Sequence, residues 1–168
     1  MSTVKRSLIA IVGAAAASGL MLFVPAQEGT VYKTYKDIGG VLTYCTGATE
    51  DAMWGKTYTP AECKAQLDKD LARHAEGVMS CVHAPLTDGQ KIAFVDVAYR
   101  IGVVGFCDSS MAIRVNAGDL VGSCNALLMY DGINKLVIQK DGTKKKIHII
   151  IPGIANRAKR EREICLRS

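Results

Sequence analysis

Seventeen consecutive uncharged residues, Leu8 to Val24, lie between Lys5-Arg6 and Pro25, and wherever the rest of the chain goes this run must leave water. As one helix it spans about 26 Å, near the lower limit for crossing a bilayer. Lys5 and Arg6 ahead of it favour an N-in orientation with the rest of the chain exported. The run is only weakly apolar. Gly13, Ala14 to Ala17, Ser18 and Gly19 contribute little transfer energy, because the gain scales with apolar area. One reading is a cleaved signal peptide, with Val24-Pro25-Ala26 as a small-residue site before Gln27. The other is a retained, marginally held anchor. Cleavage after Ala26 leaves Glu28 one residue from a new charged amino terminus, on an end that frays. The retained anchor is therefore preferred, dividing the chain into a signal-anchor segment, 1–26, and one folded domain, 27–168.

Export agrees with the cysteines. Cys45, Cys63, Cys81, Cys107, Cys124 and Cys165 form an even set that is surplus in a reducing cytosol, and with an export signal they point to disulfides. No CxxC or Cys/His zinc spacing occurs, and His74, His83 and His148 lie apart, so neither a metal site nor a cofactor is expected. The net charge of +5 is unevenly held: residues 135–168 carry 10 basic and 3 acidic groups. In an exported chain a basic tail fits an anionic cell wall or membrane surface better than nucleic acid. The alternative is a solvated helix face.

Beyond the anchor, the stretch Glu28 to Thr49 carries candidate chemistry. Glu28 is followed by Asp37 nine residues on and Thr43 six further. Val31, Tyr32 and Tyr35 fall at i+3, i+4 and i+7 from Glu28, which predicts a short helix opened by Glu28. Gly39-Gly40 supplies a turn, and Val41 to Thr46 reads as a strand. A carboxyl on a helix end and a second on an adjoining hairpin can face each other across a cleft. That is what glycosidic hydrolysis requires: one protonated to serve the leaving oxygen, the other ionised across the sugar ring.

At these residues the chain resembles a known family. Glu28-Gly29, Tyr35-Lys36-Asp37, Gly40, Thr43 and Cys45-x-Gly47-x-Thr49 look like the catalytic signature of the phage-type lysozymes, the endolysins. A second block runs from Ala93-Phe94 through Gly102, Gly105-Phe106-Cys107 and Asn116-Ala117-Gly118-Asp119. A third holds Pro152-Gly153-Ile154, Asn156-Arg157, Arg160-Glu161 and Glu163-Ile164-Cys165. The resemblance implies a lysozyme-like α+β fold, with a small N-terminal β-hairpin lobe joined by a long helix to a larger helical lobe. It implies a monomeric muramidase acting on peptidoglycan, with Glu28 as general acid, Asp37 as second carboxylate and Thr43 placing the attacking water. The N-terminal arrangement resembles the signal-arrest-release endolysins, whose weak anchor leaves the inner membrane and joins the body in the periplasm. No cysteine precedes Cys45, so a thiol in the anchor is not the switch. The rival readings are a peptidoglycan-binding protein that does not cut, and a transglycosylase.

Local signals place the remaining elements. Thr59-Pro60-Ala61-Glu62 is a capping box with proline at the first helical position, and Leu67, Leu71, Ala75 and Val78 continue it as a helix over about 60–78. Thr87-Asp88-Gly89-Gln90 is a second box before the apolar run Ile92 to Ile101, ended by Gly102. Ser109 or Ser110 and Asp119 start two shorter helices, strands flank the turn Asp141-Gly142, and a last helix runs over about 154–166. Most charges of that last helix read as solvated. Six cysteines allow 15 connectivities, which sequence leaves open; the pairing expected is Cys45–Cys63, Cys81–Cys107 and Cys124–Cys165. Three residues depart from the family pattern: Ala48 replaces a histidine, Arg100 an asparagine, and Ala158 breaks a paired arginine.

Overall fold

Gly13 divides the uncharged run into two helices, α1 (Leu8–Val12) and α2 (Ala14–Glu28). Its φ of +89° is open to glycine and rarely to other residues, so the helical path is interrupted there. The computed structural model describes residues 6–37 and 39–167. Leu8, Val12, Ala16, Leu20 and Val24 recur four residues apart and are buried among Leu71, Ala75, Val78, Phe94 and Phe106. Small residues permit this closeness: a Cβ at Gly19 would sit 2.4 Å from Ile92 Cδ1. Among the described residues no helix is long and apolar enough to cross a membrane. The run expected as one anchor helix is here folded onto the body in two pieces. Lys5 lies outside the described residues, and Arg6 pairs with Glu76 at 3.3 Å.

The helix expected from Glu28 to Tyr35 is not formed. Glu28 closes α2, Gly29 caps it with an N–H to the Pro25 carbonyl at 2.8 Å, and Val31–Lys36 is strand β1. β1 pairs antiparallel with β2 (Leu42–Cys45), setting Tyr35 opposite Thr43. Gly29 ends the helix, and the β-branched and aromatic residues that follow favour extended backbone. Val31, Tyr32 and Tyr35, whose spacing suggested a helical face, are all exposed. Beneath this hairpin a second small core forms from Cys45, Ala48, Cys63 and the stacked rings of Tyr44 and Tyr58, 4.1 Å apart.

The two capping boxes form as read. Thr59 Oγ1 accepts the Glu62 N–H while Glu62 takes the Thr59 N–H, starting α3 (Pro60–Cys81), and Thr87 and Gln90 do the same for α4 (Asp88–Ile101). Gly102 separates α4 from α5 (Val103–Cys107), a short helix that the sequence reading omits. Ser109 caps α6 (Ser110–Asn116), and Asp119 caps α7 (Leu120–Ala126). A ribbon of β3 (Gly132–Ile138) and β4 (Lys144–Ile150) precedes the last helix, α8 (Pro152–Cys165). The architecture is α+β: two small antiparallel hairpins on a mostly helical body, with α4 buried at its centre. The disulfides are Cys45–Cys63, Cys81–Cys107 and Cys124–Cys165, the same three pairs expected, and they join β2 to α3, α3 to α5 and α7 to α8.

Because α2 supplies fully buried side chains to the main core, Leu20→Ala is expected to lower the free energy of unfolding by about 2–5 kcal/mol. Urea denaturation measures it. A loss below about 0.5 kcal/mol, the size of an ordinary surface substitution, would mean that α2 does not belong to the core.

Candidate active site

A charge inside a helical core must be matched by an opposite one, and Asp96 is fully buried in the middle of α4. Its partner is Arg157 of α8, which grips it with two parallel bonds, Nη2 to Oδ1 at 2.7 Å and Nε to Oδ2 at 3.0 Å. The third guanidinium nitrogen, Nη1, donates to Glu28 Oε1. Arg157 thus fixes the last residue of α2 to the centre of the molecule. Burial opposes the charge on Arg157, but the hydrogen bonds and charges of Asp96 and then Glu28 outweigh it and hold the guanidinium above its ordinary pKa. Next to Glu28, Gln27 Oε1 accepts two bonds from Arg160, at 2.9 and 2.5 Å.

One turn further along α8, Glu161 is also fully buried, 3.6 Å from Arg157 Nε and bound to Arg100 Nη2 at 3.0 and 3.3 Å. Arg100 Nη1 donates to the Tyr130 carbonyl at 2.9 Å, while its Nε is buried without a hydrogen-bond partner. Burial first, then the neighbouring Asp96, push the Glu161 carboxyl up to about 8, with Arg100 pulling the other way. Most charges of this helix are solvated as expected, and Arg157 and Glu161 are the two exceptions. Lys159, Arg160, Arg162 and Glu163 do lie at the surface or partly so. The signal available was Asp96 itself, a lone carboxylate in an otherwise apolar run. Arg100 and Glu161 meet across 61 positions, which no local pattern reveals.

The other two candidate residues share a second location. Asp37 follows β1 and is exposed; its Oδ1 accepts the Val41 N–H at 2.8 Å, and its own N–H bonds the Val41 carbonyl at 3.0 Å. Thr43 on β2 is buried, and its hydroxyl donates to the same carbonyl at 3.0 Å. Asp37 and Thr43 are therefore brought together around Val41. Glu28 lies on the end of α2, where its carboxyl is bonded to Arg157, while Asp37 is bonded to Val41. Two contacts tie the locations together. Thr30 and Thr46 hydroxyls meet at 3.3 Å, and the Tyr99 hydroxyl of α4 donates to the Thr46 carbonyl. Burial, then Asp70 and Glu28, raise the Tyr99 phenol, so it stays protonated as that donor. Beside it lies a pocket of about 220 Å³ lined by Gly47, Ala48, Asp70, His74 and Tyr99 among others. Among the described residues no three His, Cys, Asp or Glu side chains are grouped to hold a metal ion.

Chemically, the arrangement holds one carboxyl rigidly at a helix end and sets a second, more exposed carboxylate and a hydroxyl on an adjoining hairpin. Comparison with known proteins gives consistent findings. The sequence profile described as phage lysozyme matches residues 25–161. The chain is 35% identical over 159 residues to the SAR-endolysin of Enterobacteria phage P21, covering 92% of this chain and 88% of that one. It is 34% identical over 170 residues to the SAR-endolysin of Bacteriophage PS34, covering 97% and 94%. Its fold is similar to the muramidase domain of SpmX from Asticaccaulis excentricus, with a TM-score of 0.76 at 24% identity over 90% of this chain and 96% of that one. It is also similar to the active form of P1 phage endolysin Lyz, with a TM-score of 0.74 at 17% identity over 95% and 90%.

The raised Glu161 carboxyl has a signed consequence. Its folded pKa lies above the unfolded one, so between about pH 4.5 and 8 the unfolded chain has released a proton that the folded chain still holds. Folding therefore becomes progressively less favourable as pH rises through that window, and the deficit persists above it. Glu161→Gln carries no such slope. Relative to the native chain, its stability in urea is expected to rise steadily as pH goes from about 5 to 8; a difference independent of pH would overturn the assignment.

Proposed function

Because the chain belongs to the phage lysozyme family, we propose that it is a phage endolysin, a muramidase that cleaves the β-1,4 bond between N-acetylmuramic acid and N-acetylglucosamine and lyses the host cell. The observation that carries this reading is the placement of Glu28. It sits at a helix end, a third exposed, and is oriented by a buried arginine that is itself locked on Asp96. A general acid needs such a fixed direction, because proton transfer to the leaving oxygen depends on geometry before it depends on pKa.

Glu28 gives its proton to the glycosidic oxygen as the bond to the anomeric carbon breaks. Asp37 supplies the opposing negative charge as positive charge develops on the sugar ring. Thr43 has already committed its hydroxyl proton to the Val41 carbonyl. Only its lone pairs remain, so it can accept a hydrogen bond from the attacking water and aim the water oxygen at the ring. Glu28→Gln keeps the size of the side chain and the arginine contact but has no proton to give. It is expected to lower the rate of clearing of purified sacculi by at least about 100-fold, with binding to them retained. Clearing by the variant at the native rate removes Glu28 from the role. No clearing by the native chain leaves the binding reading in place, and anhydro-muramyl ends on the fragments would make the chain a transglycosylase.

We further propose that residues 8–24 first lie in the host inner membrane, N-in, and that release moves the protein to the periplasm. Weak apolarity of the run supports a reversible hold, as do relatives that are themselves named SAR-endolysins. While Val24 is in lipid, Glu28 is four residues from the bilayer and cannot reach Arg157; docking of α1 and α2 lets it do so. With no cysteine before Cys45, the block is steric. Intact mass of the membrane and soluble fractions, before and after depolarisation, tests this. The soluble form is expected to retain Met1 or Ser2 and to appear on depolarisation; a soluble form starting at Gln27 would mean a cleaved signal peptide.

A further inference from the structure

The β3–β4 ribbon is paired along its whole length, from Gly132↔Ile150 to Ile138↔Lys144, yet almost nothing covers it. Within the two strands only Gly132, Ile147 and Ile149 are even partly buried. Ile138 is 70% exposed, Leu136 66% and Ile150 61%. A two-stranded ribbon without a third layer is marginal in water, and this one spends its exposed positions on branched aliphatic residues. Lysine fills most of the remainder. Lys135, Lys140, Lys144, Lys145 and Lys146 form no ion pair or side-chain hydrogen bond among the described residues, whereas Lys56, Lys69 and Lys91 each have a carboxylate partner. On the face that carries Leu136 and Ile138 the cross-strand pairs are mixed: Leu136 faces Lys146 and Ile138 faces Lys144, while Val137 and Lys145 pair on the other face.

Those pairs select among anionic partners. Peptidoglycan offers carboxylates to the lysines, but its sugars and peptide stems give Leu136 and Ile138 no apolar cover. Nucleic acid would call for rings that stack on bases, and neither strand holds a Phe, Tyr or Trp. At a lipid surface both halves of each pair are satisfied. The aliphatic side chain enters the boundary between headgroup and acyl chain, and the lysine stem lies along it with its ammonium at the phosphate. We propose that the β3–β4 ribbon is a membrane-surface docking element, seating Leu136 and Ile138 in the interface of an anionic phospholipid bilayer with Lys144 and Lys146, which share their face, against its phosphates. The contact is separate from residues 8–24 and independent of the hydrolytic reading.

The test is co-sedimentation of the full-length soluble protein with vesicles containing phosphatidylglycerol, against vesicles of phosphatidylcholine alone. Preferential binding to the anionic vesicles is expected. Combining Lys144→Gln with Lys146→Gln should weaken it by roughly fivefold per lysine, on the order of 25-fold together. Leu136→Ser with Ile138→Ser should weaken it by at least about tenfold. Since residues 8–24 can bind lipid themselves, Ile138→Trp in a Trp54→Phe background supplies a local readout. The indole emission of that variant should shift to the blue with anionic vesicles and be quenched by brominated lipid. An unshifted emission from the variant when it sediments with the vesicles overturns the proposal. So does a Lys144→Gln, Lys146→Gln variant that keeps its vesicle binding and loses binding to purified sacculi, which would make the ribbon a wall contact.

Discussion

One guanidinium holds the molecule's ends to its middle. Arg157 is contributed by the last helix, Asp96 by the central one and Glu28 by the end of the second, so a single buried side chain joins three elements that are far apart in sequence. A buried ion pair is weak as a source of net stability, since desolvation offsets most of the attraction, but breaking one leaves an uncompensated charge. The effect is directional: α8 has one rotation about its axis that satisfies Asp96, and in that rotation Nη1 points to where α2 must end. The second pair, Arg100 with Glu161, lies alongside and fixes the same helix at one more point.

The same logic bears on the release proposed for the N-terminal run, which is docked on the body here. Its buried face is built from Ala, Val and Leu at four-residue intervals, with Gly19 against Ile92, a surface that fits the body closely yet offers little apolar area per residue. On the proposed anchor reading, neither lipid nor protein wins by a wide margin. What favours the docked form is the polar finish at its far end, where Glu28 and Gln27 meet Arg157 and Arg160. The residue proposed to act on substrate and the contact that completes the fold are thus the same one.

Much of this was legible in the sequence, and the failures have physical causes. Thr59 and Thr87 announced their helices because a capping box is a local device, complete within four residues. Gly102, Ser109 and Asp119 were readable for the same reason. The segment after Glu28 misled because three exposed side chains happened to fall at helical spacing, while the deciding influence, hydrogen bonds from β2, came from elsewhere in the chain. Arg157 and Glu161 were hidden among six charges on one helix. Only Asp96 for Arg157 and Arg100 for Glu161, each 61 residues away, distinguish the two that are buried from the ones that are not. Apolar residues of the ribbon marked its strands correctly, but alternation says nothing about whether a partner layer exists.

The three disulfides follow one another along the chain without overlap: 45 to 63, 81 to 107, 124 to 165. Each closes its own loop, and none must wait for another. A chain emerging into an oxidising compartment can therefore fasten its body segment by segment as it arrives. The first 44 residues lie outside every covalent ring, so the cross-linked portion can mature fully while its leading end is still occupied elsewhere. The contacts of that leading end with the body rest on reversible forces alone, and oxidation can neither make them nor hold them.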